Sequence, residues 1–196
     1  MIKAVLLDAD GVVVRPEKIF SQRMHEEYGV PENELQEFFR GKFQQCLVGK
    51  ADVKELLADK IEKWGWQGTV GQLLQYWFSN ESQTDQRVID VIKQLKQKGY
   101  RVYLATNQEK NRTEYFKTQM GFGKLFDGIF SSAYVGYRKE EPEFFKHVMQ
   151  NLNVQPEEIV FWDDSARHIA SAKSLGIQAY LYKDFNEFSQ QLNSLM

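Results

Sequence analysis

The fold of this chain is indicated first by its opening stretch, Ile2-Lys3-Ala4-Val5-Leu6-Leu7-Asp8-Ala9-Asp10-Gly11. Apolar residues dominate from Ile2 to Leu7, and the run stops at an acidic side chain. A short apolar run that does not alternate with polar residues is typical of a buried parallel strand. The stretch therefore predicts a strand that ends at Asp8, with a tight turn that Gly11 permits.

Further apolar runs of strand length follow along the chain, and each ends in small or polar residues. They are Val102–Ala105, Ile129–Phe130, Ile159–Trp162 and Ile177–Tyr182. Segments with helical spacing of apolar residues lie between most of them. Alternating strands and helices predict an α/β fold, a Rossmann-like open parallel sheet with helices on both faces. Ligands of such sheets bind outside the carboxyl ends of the strands.

Residues 16–79 interrupt this alternation, because they carry helical patterns without strands. We predict helices around Lys18–Tyr28, Glu32–Gln45, Ala51–Trp64 and Thr69–Phe78. Our interpretation is an α-helical cap domain, residues 16–79, inserted into a core domain of residues 1–15 and 80–196. The alternative is that these helices simply pack on one face of the sheet.

Composition excludes several classes of protein. The chain has 196 residues, a net charge of −2 and one cysteine, Cys46, so a disulfide framework and a thiolate zinc cluster are ruled out. The sequence has no excess of basic residues that would indicate nucleic-acid binding. No apolar stretch approaches the roughly 20 residues of a membrane helix. The apolar run at the N-terminus is too short for a signal peptide. We expect a soluble cytoplasmic protein without nucleic-acid or membrane partners, a monomer by default, with a dimer left open.

Two acidic pairs follow predicted strands. Asp8 and Asp10 come after the first strand, and Asp163 and Asp164 come after the strand that begins at Ile159. Carboxylates gathered at one buried edge repel one another, and a hard divalent cation such as Mg²⁺ removes that repulsion. The alternatives are an acidic turn for the first pair and a helix cap for the second.

Thr106, Asn107 and Lys139 offer groups that bind phosphate. Thr106-Asn107 ends another predicted strand, where a hydroxyl and backbone N–H groups can hold phosphoryl oxygens. A lysine beside several carboxylates balances their charge and also binds phosphate. Taken alone, each has a plainer interpretation: a turn or helix cap at Thr106-Asn107, and a solvated surface residue at Lys139.

The ordered set of these motifs resembles the haloacid dehalogenase-like hydrolase superfamily, and its phosphatase branch in particular. The motifs are Asp8-Ala9-Asp10-Gly11-Val12, Thr106-Asn107, Lys139 and Asp163-Asp164. The resemblance spans nearly the whole chain, and the insertion after the first motif is similar to the cap domain of this family. Members that cleave carbon–halogen bonds lack an acid at the position of Asp10, so this residue favours phosphate chemistry.

The resemblance implies a mechanism. Asp8 is expected to be the nucleophile that forms an aspartyl-phosphate, and Asp10 the general acid and base. The expected ligands of Mg²⁺ are Asp8, the backbone carbonyl of Asp10, and Asp164, with Asp163 acting directly or, as we favour, through water.

The expected phosphate-binding residues are Thr106, Asn107 and Lys139, with Asn107 acting through its backbone N–H. Together these roles predict a Mg²⁺-dependent phosphatase, a hydrolase of phosphoric monoesters. Because a helical cap encloses the site, the expected substrate is a small phosphorylated metabolite such as a sugar phosphate. A phosphomutase with the same nucleophile is the main alternative, and a non-catalytic binding or regulatory protein on this scaffold is another.

Two positions depart from the family's pattern. Glu140 stands where the family usually has proline directly after the lysine, which puts the rigidity of this loop in question. His168 stands where Asn or Asp is common, four residues after Asp164. Its side chain either bonds toward Lys139 or the outer shell of the metal, or is simply packed or solvated.

Overall fold

The computed structural model describes residues 1–195 and shows one parallel sheet of five strands. The strands are β1 (Ala4–Leu7), β2 (Arg101–Thr106), β3 (Gly128–Ser131), β4 (Ile159–Asp163) and β5 (Gln178–Leu181). Their order across the sheet is β3-β2-β1-β4-β5, so β1 lies at the centre. The five strands fall where the sequence predicted them, which confirms the open parallel sheet.

The helices that come after Asn80 in the chain cover this sheet. They are α6 (Gln86–Gln97), α7 (Lys110–Thr118), α8 (Phe122–Leu125), α9 (Ser132–Val135), α10 (Pro142–Leu152), α11 (Ala166–Ser174) and α12 (Phe185–Leu195). A short 3-10 helix, Pro156–Glu158, precedes β4.

Both faces of the sheet are buried under helices. Alternate residues of a strand point to opposite sides, so each strand contributes side chains to both faces. Val5 and Leu7 of β1 belong to a core cluster that includes residues of α6, α7 and α12. Ala4 and Leu6 belong to a second cluster that includes residues of α10 and α11. The predicted arrangement, helices on both faces of a Rossmann-like sheet, is therefore confirmed.

Between β1 and α6 the described chain forms helices with no strand. They are α1 (Phe20–Tyr28), α2 (Glu32–Arg40), α3 (Phe43–Cys46), α4 (Val53–Ala58) and α5 (Val70–Asn80). These helices share a third core cluster, rich in aromatic rings, in which Phe20 stacks on Trp77 with ring centroids 4.4 Å apart. The all-helical content matches the expectation for this segment, and its role as a cap stays a prediction.

Two predicted helices of this segment are shorter than expected. The helix predicted over Glu32–Gln45 ends at Arg40, because Gly41 has φ −90° and ψ −128° and turns the chain out of the helix. A Cβ at Gly41 would lie 2.6 Å from the carbonyl oxygen of Glu37, so only glycine fits this bend. The helix predicted over Ala51–Trp64 ends at Ala58 and continues as turns.

The linkers that lead to and from the helical segment run side by side. The Arg15 N–H donates to the Gln83 carbonyl at 2.8 Å, and the Asp85 N–H donates to the Val13 carbonyl at 3.0 Å. Val14 and Thr84 form an antiparallel bridge between the same linkers. The segment therefore leaves and rejoins the core at one place, next to the first acidic motif.

Among residues 1–195, no helix has the length and apolar character needed to span a membrane.

Candidate active site

Several polar side chains meet where the central strands end. The backbone N–H of Asp8 donates to the carbonyl of Trp162 at 3.0 Å, which brings the ends of β1 and β4 side by side. Thr106 is the last residue of β2, the other neighbour of β1. Strand order reverses between β1 and β4, and open α/β sheets bind their ligands at such a point. The structure thus brings the predicted site residues to one edge of the sheet.

A tight turn after β1 fixes the first acidic motif. The N–H groups of Val13 and Val14 both donate to the Ala9 carbonyl, at 2.9 and 2.8 Å. Gly11 has φ +85°, and a Cβ there would lie 2.1 Å from the nearer carboxylate oxygen of Asp164. The missing side chain lets Asp164 approach the backbone directly after Asp10.

Lys139 joins two of the acids. Its ammonium group lies 2.5 Å from Asp8 Oδ1 and 2.7 Å from Asp163 Oδ2, and the side chain is 1% exposed. A buried lysine needs such partners, since an unpaired ammonium in the protein interior is strongly unfavourable. Lys139, which is predicted to bind phosphate, therefore contacts Asp8, the predicted nucleophile.

The two carboxylates that contact Lys139 differ in electrostatic environment. Burial opposes the ionisation of Asp163, but the charges and hydrogen bonds of Lys139 and His168 outweigh it and lower its pKa to about 2. Burial raises the pKa of Asp8 well above its ordinary value, and the charges of Asp163 and Asp10 add to this effect while Lys139 opposes it. Lys139 therefore stabilises the ionised form of Asp163, whereas at Asp8 the charge of Lys139 does not offset the effect of burial.

Asp10 has an environment that suits proton transfer. Burial raises the pKa of its carboxyl group, and the positive charges of Arg112 and Lys139 counteract part of that increase. Gln108 Nε2 donates a hydrogen bond to Asp10 Oδ2. A carboxyl group with a raised pKa holds a proton more readily than an ordinary aspartate, which suits a general acid.

The oxygen atoms at this edge fit a hard cation. Asp8 Oδ1 accepts hydrogen bonds from the Ala9 N–H and from Lys139, while within residues 1–195 no hydrogen bond to Asp8 Oδ2 is found. Burial and the neighbouring Asp163 raise the pKa of Asp164, and the charges of Lys139 and His168 offset only part of this increase. Asp8, Asp164 and the adjacent backbone thus supply the oxygen donors that Mg²⁺ prefers.

A second group of potential metal ligands lies beside these oxygens, but its members form an ion-pair network. Ligand atoms of Asp8, Asp163 and His168 lie within 4.8 Å of one another, but the Lys139 ammonium contacts both carboxylates. Asp163 Oδ1 also accepts from the Ser165 N–H at 2.7 Å and lies 2.9 Å from His168 Nδ1. Both oxygens of Asp163 are therefore occupied by protein groups, and its predicted metal role remains a prediction.

The side chain of Asn107 holds the lysine loop. Its Oδ1 accepts from the Lys139 N–H at 2.8 Å, and its Nδ2 donates to Glu140 at 2.9 Å. The phosphate contact predicted for Asn107 is thus left to its backbone N–H. Gln108, Glu140 and Arg112 were not predicted as site residues, although Gln108 directly follows the Thr106-Asn107 motif, which is the one local signal for it.

Fold and site together define a class: an open α/β sheet with carboxylates and a buried lysine at the carboxyl ends of its central strands. A family model described as haloacid dehalogenase-like hydrolase matches residues 2–176. The chain belongs to this family of hydrolases. The resemblance drawn from the ordered motifs is thereby confirmed.

Similar proteins include phosphatases. The chain is 24% identical to a D-ribitol-5-phosphate phosphatase from Bacteroides thetaiotaomicron, covering 100% of this chain and 99% of that protein. It is 32% identical to a sesquiterpene phosphatase from Aspergillus oryzae, over 47% of each chain. The chain spans less than half the length of the two curated relatives that it matches at 32% to 33% identity.

A solved structure with the same fold contains magnesium and phosphate. It is a HAD family enzyme from Bacteroides thetaiotaomicron, in complex with magnesium and inorganic phosphate. The two chains are 25% identical with a TM-score of 0.81, covering 96% of this chain and 99% of the other.

Proposed function

We propose that this chain is a Mg²⁺-dependent phosphatase that hydrolyses a small phosphorylated metabolite, such as a sugar phosphate. The observation that carries the proposal is the contact between the Lys139 ammonium and Asp8, with Asp10 two residues further along the same turn. A nucleophile, a proton carrier and a phosphate-binding cation then lie at one strand end. Similarity to a D-ribitol-5-phosphate phosphatase over the full chain supports a phosphorylated polyol or sugar as substrate.

The proposed reaction has two steps on the chain's own residues. An oxygen of Asp8 attacks phosphorus and forms an aspartyl-phosphate, while Asp10 donates its proton to the departing alcohol oxygen. Asp10 then removes a proton from the water that hydrolyses this intermediate and releases inorganic phosphate. The raised pKa of Asp10 supports the first role, because the acid must be protonated when the alcohol leaves.

Positive groups would hold the phosphoryl oxygens in both steps. Lys139 supplies charge, and the Thr106 hydroxyl and the Asn107 N–H supply hydrogen bonds from the end of β2. Asp8, Asp164 and the Asp10 carbonyl would hold Mg²⁺, which when bound neutralises carboxylate and phosphate charge and orients the reacting groups. Asp163 contacts Lys139, and its carboxylate lies within 4.8 Å of a carboxylate oxygen of Asp8, which supports a role on the cation through water.

The helical segment that begins at α1 is proposed to act as a cap over this site. Gln44 in α3 accepts a hydrogen bond from Arg138, the neighbour of Lys139, at 2.6 Å. Lys110 donates to the Gly49 carbonyl at 3.3 Å, so the loop after α3 also contacts the core near the start of α7. A cap that closes over the site would favour a small substrate.

Replacement of the nucleophile tests the proposal. With Mg²⁺ and an aryl phosphate such as p-nitrophenyl phosphate, we expect the wild-type protein to release phosphate and Asp8→Asn to lose at least about a thousandfold in rate. Asp90→Asn, an exposed acid on α6, is the control and should keep wild-type activity. Equal phosphate release by wild type and Asp8→Asn would rule out Asp8 as nucleophile.

The product distinguishes hydrolysis from group transfer. A panel of phosphorylated sugars and polyols, followed for both free phosphate and isomer formation, identifies the substrate. Isomer formation without stoichiometric phosphate release would make the chain a phosphomutase instead of a phosphatase.

A further inference from the structure

Lys139 is fixed at both ends, and the fixation of its backbone is not explained by the proposed reaction. Its ammonium contacts Asp8 and Asp163, while its backbone N–H donates to Asn107 Oδ1 at 2.8 Å. The ammonium lies at the end of a flexible side chain, so the position of the backbone decides how far it reaches. The residues that orient Asn107 therefore influence Lys139.

The Asn107 amide has one favourable orientation. Its oxygen accepts from Lys139, and its Nδ2 donates to Glu140 Oε2 at 2.9 Å. A flipped amide would bring Nδ2 against the Lys139 N–H and Oδ1 against the Glu140 carboxylate, which makes both contacts repulsive. The Glu140 carboxylate thus selects the orientation in which Asn107 holds the lysine backbone.

His168 completes the same network. Its Nδ1 lies 2.9 Å from Asp163 Oδ1, and an ionised carboxylate only accepts hydrogen bonds, so Nδ1 carries a proton. The other ring nitrogen, Nε2, lies 3.3 Å from Asn107 Nδ2 and 3.5 Å from Glu140 Oε2. The Asn107 amide therefore donates to Glu140 and lies against the His168 ring.

Glu140 lies in a turn that carries Lys139. The Glu141 N–H donates to the Arg138 carbonyl at 2.9 Å, so Lys139 and Glu140 are the central residues of this turn. The second carboxylate oxygen of Glu140, Oε1, lies 3.3 Å from Arg138 Nε, and the Glu140 side chain is 27% exposed. Where the family usually has the rigid ring of proline, this chain has a carboxylate bonded to two neighbours.

We propose that Glu140 is a positioning residue for the proposed phosphatase reaction, and that it acts on Lys139 through the Asn107 side chain. Glu140 does not touch the reacting atoms. The proposal rests on the proposed function for its effect on rate, but the orientation of Asn107 is observable without catalysis.

Kinetics of Glu140 variants test the effect on the reaction. With p-nitrophenyl phosphate and Mg²⁺, we expect Glu140→Ala to lower kcat about tenfold with a smaller change in KM, which corresponds to the loss of one hydrogen bond to a charged group. Glu140→Gln keeps an acceptor for Asn107 and should stay within about threefold of wild type. Glu143→Ala removes an exposed acid three residues further on and is the matched control, with wild-type kcat.

A double-mutant cycle tests the route through Asn107. If Glu140 acts through this amide, Glu140→Ala should add no further loss of kcat in an Asn107→Ala background. Additive losses would show that Glu140 acts on Lys139 by another route and would overturn the proposal. A merely structural role predicts loss of folded protein with kcat per folded molecule unchanged, which would also overturn it.

A nuclear magnetic resonance measurement keeps the proposal separate from the proposed function. The side-chain amide proton of Asn107 that faces Glu140 should be shifted and protected from exchange in wild type and in Glu140→Gln, and both effects should be lost in Glu140→Ala. If wild type shows no phosphatase activity, the proposed function fails while this readout still decides whether Glu140 orients Asn107. Unchanged Asn107 resonances in Glu140→Ala would overturn the positioning role.

Discussion

Lys139 and Asp163 form the electrostatic centre of the site at the scale of single residues. Asp163 is fully buried, and its oxygens accept from Lys139, His168 and the Ser165 N–H. The ordinary aspartate pKa of 3.8 falls to about 2 in this environment. Asp163 is therefore ionised throughout the neutral range, and Lys139 stays correctly placed there.

This shift predicts an acid-dependent part of the stability. A carboxyl group whose pKa is lower in the folded state stabilises the fold above its ordinary pKa, and the effect is lost as the pH falls through the folded-state value. A fall from 3.8 to about 2 corresponds to roughly 2 kcal/mol. Urea denaturation from pH 7 to pH 2 should show the difference in unfolding free energy between wild type and Asp163→Asn shrinking by about this amount below pH 4. A difference independent of pH would contradict the assigned partners.

The helix α7 connects the site to the helical segment at the scale of elements. It begins a few residues after the Thr106-Asn107 motif, and its buried Arg112 donates to the carbonyls of Phe78 at 2.8 Å and Glu81 at 2.5 Å. Glu81 in turn accepts from the N–H of Phe20 at the start of α1 and from Trp77 Nε1 at 3.0 Å. One arginine and one glutamate thus fasten both ends of the inserted helices to the core.

Removal of this arginine should loosen the attachment. Arg112→Met keeps much of the apolar contact with the neighbouring rings but leaves the carbonyls of Phe78 and Glu81 without their donor. We expect a loss of roughly 3 kcal/mol in unfolding free energy, measured by urea denaturation. Arg167→Met, an exposed arginine on α11, is the control and should change stability by less than about 0.5 kcal/mol. A loss for Arg112→Met as small as that of the control would show that the attachment does not depend on Arg112.

Negative charge gathered at the strand ends affects the stability of the whole molecule. The pKa values of Asp8, Asp10 and Asp164 are all raised, with burial as the largest cause. Raised carboxyl pKa values mean that ionisation at neutral pH costs folding free energy in the absence of a cation. A bound cation at this edge should therefore stabilise the fold.

Thermal unfolding with and without Mg²⁺ measures this stabilisation. At a Mg²⁺ concentration 100-fold above its dissociation constant we expect about 2.7 kcal/mol, with a corresponding rise in Tm. Asp164→Asn should lose most of this rise, while Asp90→Asn on the exposed face of α6 should keep it. An equal rise in wild type and Asp164→Asn would show that Mg²⁺ binds elsewhere. Gly11→Ala should also reduce the rise, because its Cβ would occupy the place of the Asp164 carboxylate.

Local patterns in the sequence were sufficient to predict the sheet and most of the site. Each strand is a short apolar run, and the acids directly after β1 and β4 are brought to one edge because parallel strands end on the same side. Helix ends in residues 16–79 were predicted less well. The bend at Gly41 depends on a contact with the Glu37 carbonyl that no apolar spacing reveals.

By itself the sequence determined the α/β alternation, the family and the order of the acidic, Thr106-Asn107 and Lys139 motifs, because these are properties of neighbouring residues. Only the tertiary structure decided which groups form hydrogen bonds with one another: Gln108 with Asp10, Asn107 with Glu140, and Arg112 with the carbonyl of Phe78. These partners lie 98, 33 and 34 residues apart in the chain. Their hydrogen bonds depend on how the inserted helices and the strand ends pack in space, which spacing along the chain does not encode.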